Sequence, residues 1–66
     1  MITDDNLVGK TCRLWHPIRD HEGRTRFQEQ LVIKRVFRNI ERTMYLVEFP
    51  DLTTTFVFPD EVEIDG

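Results

Sequence analysis

The chain has 66 residues, twelve acids against nine Lys and Arg, and a formal charge of −3. That length makes one domain with a core of a few side chains, and the single cysteine, Cys12, excludes an internal disulfide framework. No apolar run approaches a membrane span, and the opening MITDDN lacks the basic and apolar regions of a signal peptide, so the expectation is a soluble, cytoplasmic protein.

Composition favours sheet. Ala and Ser are absent, while Val, Ile and Thr supply 18 residues; branched side chains lose rotamer freedom in helices and pack well on a pleated surface. In chain order, residues 1–6 read as a flexible acidic lead-in and 7–66 as the domain. Leu7 to Ile18 is the first expected strand, limited by Pro17, with Cys12 and Leu14 on one face and Arg13 and Trp15 on the other. Residues 19–26, RDHEGRTR, read as a long polar loop centred on Gly23.

Residues 26–42 carry two patterns. Ile33, Val36, Phe37 and Ile40 fit a helical spacing, with Thr25 and Gln28 as a capping box. The triplet Leu31-Val32-Ile33 and the branched apolar positions favour instead a strand over 28–38, bent by a bulge near Lys34 and Arg35 where the inward phase slips. The bent strand is the preferred reading, with a helix across 27–42 as its alternative. Asn39 to Arg42 is then a turn.

The stretch MYLVEF alternates with a period of two, which only a strand explains, and places Tyr45, Val47 and Phe49 inward. Pro50-Asp51-Leu52 is a turn, and Thr53 to Phe58 a strand with Phe56 and Phe58 inward and Val57 outward. Pro59 to Glu61 suits one helical turn, with its acids at the positive end, before a short last strand, Val62 to Ile64.

This layout, and above all YLVEFPD…TTTFVFPDEVEI, resembles the Src-homology-3-like small β-barrel in its Tudor or KOW-like variants. The resemblance covers residues 8–64 as a pattern. It implies an all-β fold: a five-stranded antiparallel barrel with one short helical turn near Pro59–Glu61. It implies little about function, because such folds host many unrelated binding roles.

Charge is uneven along the chain. Every Lys and Arg lies between Lys10 and Arg42, whereas the acids from Glu48 to Asp65 have no base among them. Lys34, Arg35, Phe37, Arg38 and Arg42 combine cations with an aromatic side chain, the combination used for single strands of RNA or DNA. The acidic net charge disfavours that reading. Cys12, His16, Asp20, His21 and Glu22 are metal-ligating types, but no pair has zinc-site spacing, so Cys12 is expected inward, both histidines on the surface, and no metal or other cofactor. With no serine nucleophile and no glycine-rich phosphate loop, the expectation is a non-enzyme.

What remains is apolar surface. Outward Met44, Leu46 and Val57, with Trp15 and Arg13, are the candidate contacts of a stand-alone protein-binding module, an adaptor or small inhibitor that occupies a partner's surface. A homodimer through the same hairpin is one version. A phage-type inhibitor of a nucleic-acid-binding enzyme, in the manner of an anti-CRISPR or anti-restriction protein, is another. RNA or DNA binding by segment 34–42 is the alternative.

Overall fold

The computed structural model describes residues 5–39 and 41–65. They form an all-β fold with seven strands: β1 (Thr11–Leu14), β2 (Ile18–Arg19), β3 (Thr25–Arg26), β4 (Gln30–Arg38), β5 (Thr43–Glu48), β6 (Thr54–Val57) and β7 (Val62–Ile64). Five make one antiparallel sheet in the order β6-β5-β4-β1-β7, and β2 and β3 make a separate two-stranded ribbon. Asp5–Leu7 and Pro59–Glu61 are single 3-10 turns. Residues 1–4 of the expected acidic lead-in, and Ile40, lie outside the described residues.

The bent strand is confirmed and the helix over 27–42 is not. β4 pairs with β1 through Gln30–Val32 and with β5 from Val32 to Arg38, and its register shifts between Ile33 and Arg35. The extra residue, Lys34, lets Ile33 and Val36 both turn inward while Arg35 and Phe37 turn outward. The strand begins later than expected because Gln28 has a positive φ of 59°, which ends extended structure on its N-terminal side. The first strand is likewise shorter, since the chain leaves the sheet after Leu14 and next pairs as β2 in the separate ribbon.

The sheet is open, where a closed barrel was expected. β6 and β7 are its two edges. After β6 the chain passes through Phe58 and the 3-10 turn, where the Glu61 carboxylate accepts the Phe58 N–H at 2.8 Å. That turn carries the chain over the end of the sheet, so β7 pairs with β1 and not with the strand before it.

The core lies on one face of the sheet: Cys12 and Leu14, Leu31 and Ile33, Tyr45, Val47 and Phe49, Val57 and Val62. The inward alternation of β5 is as expected. That of β6 is inverted: Val57 is 1 % exposed and Thr55 is buried, whereas Phe56 is 44 % exposed and Phe58 only half-buried. The turn before β6 sets this phase. Leu52 N–H donates to the Phe49 carbonyl and Phe49 N–H to the Thr53 carbonyl, both at 2.8 Å, which makes a three-residue hairpin ending in a left-handed residue. Phe49 then faces Thr53, and Val47 and Tyr45 face Thr55 and Val57.

The β2–β3 ribbon closes with the same kind of turn. Gly23 N–H donates to the Asp20 carbonyl and Asp20 N–H to the Arg24 carbonyl, at 3.0 Å each. The left-handed position is Gly23 in one hairpin, φ 81°, and Leu52 in the other, φ 73°. A residue with a Cβ is strained there by about 1–2 kcal/mol, and Leu52, 74 % exposed, gains little from burial. Leu52→Gly should therefore stabilise the domain by about 0.5–1 kcal/mol after the entropy cost of glycine. A denaturant midpoint below that of wild type would contradict this.

Candidate interaction surface

The polar stretch 19–26 is a folded element held by a buried cation. Arg26 is only 6 % exposed. Its Nε and Nη2 donate to the two oxygens of Glu29 at 2.8 Å each, its Nη1 donates to Asp20 Oδ2 at 2.9 Å, and its Nη2 also reaches Asp51 Oδ1 at 3.2 Å. The guanidinium carbon lies 3.9 Å from the centre of the Phe49 ring. Asp20 Oδ1 accepts the N–H groups of Glu22 and Arg24, and Asp51 accepts both the N–H and the hydroxyl of Thr53. No buried side-chain nitrogen or oxygen lacks a partner among the described residues. One guanidinium fork thus fastens the β2–β3 ribbon to the β5–β6 turn, which arginine's fixed donor geometry allows.

The carboxylates respond accordingly. Burial pushes Asp20 up, but the Arg24 N–H, the Arg26 guanidinium and the Glu22 N–H outweigh it and hold its pKa low. The Arg26 fork lowers Glu29, and the Thr53 hydroxyl, together with Arg26, holds Asp51 well below the usual carboxylate range. Folded-state values below the unfolded ones mean stability that is fully present above the unfolded carboxylate values and lost as pH falls through the folded ones. The urea midpoint should stay level from pH 7 to about 5 and drop steeply below about pH 4. A midpoint unchanged at pH 3 would show that the cluster contributes nothing.

Directly paired residues on neighbouring strands share a face, so the register defines the outer surface. Arg35, Leu46 and Phe56 lie side by side across β4, β5 and β6, and Phe37 lies beside Met44 in the next row. The rings of Phe37 and Phe56 meet edge to face at 5.7 Å, diagonally over β5, which half-covers Met44 and Leu46. Phe37 and Phe56 are themselves 42 % and 44 % exposed. His21, at the tip of the β2–β3 ribbon, sets its ring 6.5 Å from Phe56. The face is thus a three-strand apolar surface with two exposed aromatics and a flanking arginine.

The expected contact residues divide. Met44 and Leu46 lie on this face, together with Arg35 and Phe37. Val57 does not: it is core, and Phe56 holds the outward place assigned to it. Arg13 and Trp15 lie on the other side of β4. Arg13 pairs with Asp65 at 3.2 Å, and Trp15, 59 % exposed, follows the end of β1. Of the basic segment, Lys34 sits in the bulge 4.0 Å from Glu48, and Arg42 lies over the Phe58 ring at 5.4 Å. Arg38 ends β4, opposite Thr43. Phe56 was missed as a surface residue, and His21, expected on the surface, was not foreseen beside it. The three-residue turn before β6 was the signal for the first, and nothing in the sequence signals the second.

Cys12 has no exposed surface, and burial, with the nearby Asp65 charge, pushes its thiol up to about 11. Among the described residues no three His, Cys, Asp or Glu side chains are grouped to hold a metal ion, and no helix is long and apolar enough to cross a membrane. Neither a family model, nor a curated protein, nor a solved structure matches the chain.

Proposed function

We propose that this chain is a non-catalytic, cytoplasmic protein-binding module that acts by occupying a partner's surface with the outer face of β4, β5 and β6. The carrying observation is the exposed pair Phe37 and Phe56, packed edge to face over Met44 and Leu46 with Arg35 alongside. Aromatic residues, methionine and arginine are the types enriched at protein interfaces, and folding alone gives no reason for two phenylalanines to stay in water. The single helical turn leading into a short strand that pairs with the first supports an Src-homology-3-like small barrel as the parent architecture.

Wild type, a Phe37→Ser, Phe56→Ser variant and a Trp15→Ala variant, each tagged, would be used to capture partners from native host extract. The double variant is expected to lose the partners at an unchanged urea midpoint, while Trp15→Ala keeps them. Retention of every partner by the double variant would remove this face from consideration.

The second reading is single-stranded RNA or DNA, favoured by one observation: Phe37, 42 % exposed, faces outward on the same side of β4 as Arg35. It requires a mobility shift at low salt that weakens steeply as salt rises and is lost on Arg35→Glu. No shift at low salt would retire it.

A further inference from the structure

We infer that β6 is an open edge, which pairs antiparallel with β6 of a second copy of this chain about a two-fold axis at Thr55. The contact is made by the edge of the sheet and not by its outer face, so it goes beyond the function proposed above.

Backbone geometry defines the edge. Phe49 N–H donates to the Thr53 carbonyl, and β6 stays in register with β5 from there. Hydrogen-bonded pairs alternate along an antiparallel ladder, so Thr55 and Val57 exchange bonds with Val47 and Tyr45. The N–H and C=O of Thr54 and Phe56 therefore point off the sheet, and no described residue takes them up. At the next outward position the row is closed: a Glu61 carboxylate oxygen accepts the Phe58 N–H, and Glu61 N–H donates to the Phe58 carbonyl. The free edge is thus two donors and two acceptors. The other edge is guarded differently. β7 is three residues long with Glu63 at its centre, between Glu61 and Asp65, the short charged form that resists an added strand. Residues 53–58, TTTFVF, carry no charge and no proline, and the pairing of β6 with β5 has no bulge.

The free groups match those of a second copy in one register. An axis at Thr55 sets Thr54 of each copy opposite Phe56 of the other, and the two pairs make four hydrogen bonds that use every free donor and acceptor. An axis at Phe56 would set Thr54 opposite Phe58, which is already bonded. An axis at Thr54 would set Phe56 opposite Leu52, whose N–H is given to the Phe49 carbonyl. Side chains agree with the first register. Beside Thr54 lies a cleft of about 250 Å³, lined also by His21, Glu22, Leu52 and Thr53. The exposed Phe56 ring of the second copy arrives next to Thr54, at this cleft, and gives exposed Leu52 an apolar neighbour. The paired stretch is three residues, so association should be weak.

Sedimentation equilibrium from about 10 μM to 1 mM should show mass rising from one chain towards two, in a range set by the small contact area. Thr54→Pro removes an outward donor from each copy without touching the β5 ladder, and should weaken association by about tenfold or more. Phe37→Ser, two strands from the edge, should leave it within about threefold. Amide exchange in wild type gives a readout that does not depend on how a variant folds. The N–H groups of Thr54 and Phe56 should exchange about threefold or more slowly at about 1 mM than at about 10 μM. That of Ile64, which points off the other edge, should keep its rate. A single-chain mass at 1 mM, unchanged exchange at Thr54 and Phe56, or dissociation by Phe37→Ser while Thr54→Pro still pairs would overturn the inference. A partner captured by a chain that stays single, and lost on Thr54→Pro, would assign the edge to a foreign strand instead. A single-chain mass leaves the capture experiment with Phe37 and Phe56 variants standing, so the two readings fail separately.

Discussion

Replacing Arg26 with methionine is expected to unfold the domain or bring it to the edge of unfolding at neutral pH. The side chain is nearly as long and fully apolar, so it can fill the space over Phe49, but it offers no donors. Asp20, Glu29 and Asp51 would be left facing one another around the site that the guanidinium now fills. Breaking a buried ion pair by removing one partner costs about 3–5 kcal/mol, and a domain of this size holds about 3–5 kcal/mol in total. Arg26→Lys keeps the charge but replaces a planar fork by a point donor, so it should fall between. Circular dichroism and amide dispersion in two-dimensional NMR at pH 7 would report the outcome. An Arg26→Met variant whose thermal midpoint lies within a few degrees of wild type would mean that the ribbon is held by something other than this cluster.

Phe49→Ala is the second large effect. Phe49 is almost wholly buried, ends the inward row of β5, and carries the Arg26 guanidinium on its ring. Truncating a buried phenylalanine costs about 3–5 kcal/mol through lost transfer energy and the cavity left behind. The stacked cation adds a contribution of about 0.5–2 kcal/mol. Because the two residues touch, their losses should not add: Arg26→Met, Phe49→Ala should be less destabilised than the sum of the singles. The cycle is best measured in a Leu52→Gly background, whose extra stability keeps more variants folded. Strict additivity would show that the stacking contributes nothing.

These two residues also show where sequence reasoning succeeded and where it stopped. Tyr45, Val47 and Phe49 were readable because period-two alternation has no other explanation, and the bulge at Lys34 because Ile33 and Val36 could face inward only if the phase slipped. Residues 19–26 were unreadable as structure because their burial is ionic. A stretch with three arginines looks like a solvated loop until Glu29 and Asp51, at three and twenty-five residues' remove from Arg26, supply the countercharges. On β6, hydrophobicity pointed the wrong way. Placing Phe56 and Phe58 inward satisfies a ranking of side chains, but backbone hydrogen bonds across Pro50–Leu52 decide the register, and a one-residue difference inverts the strand. The candidate face inherits both errors: Met44 and Leu46 were foreseen as contacts and Arg35 only as part of a nucleic-acid-binding segment, while Phe56 was assigned to the core and His21 to a loop with no known neighbour.

Cys12 gives the molecule an internal reporter. It is the only thiol, it sits on β1 between β4 and β7, and in the closed state it is both inaccessible and protonated at neutral pH. A thiol reagent can therefore modify it only in molecules where that part of the sheet has come apart. Labelling then slows, relative to an unfolded peptide, by the factor by which closed molecules outnumber open ones. Labelling kinetics in native buffer would thus read how often the centre of the fold opens, without denaturant and without an added probe.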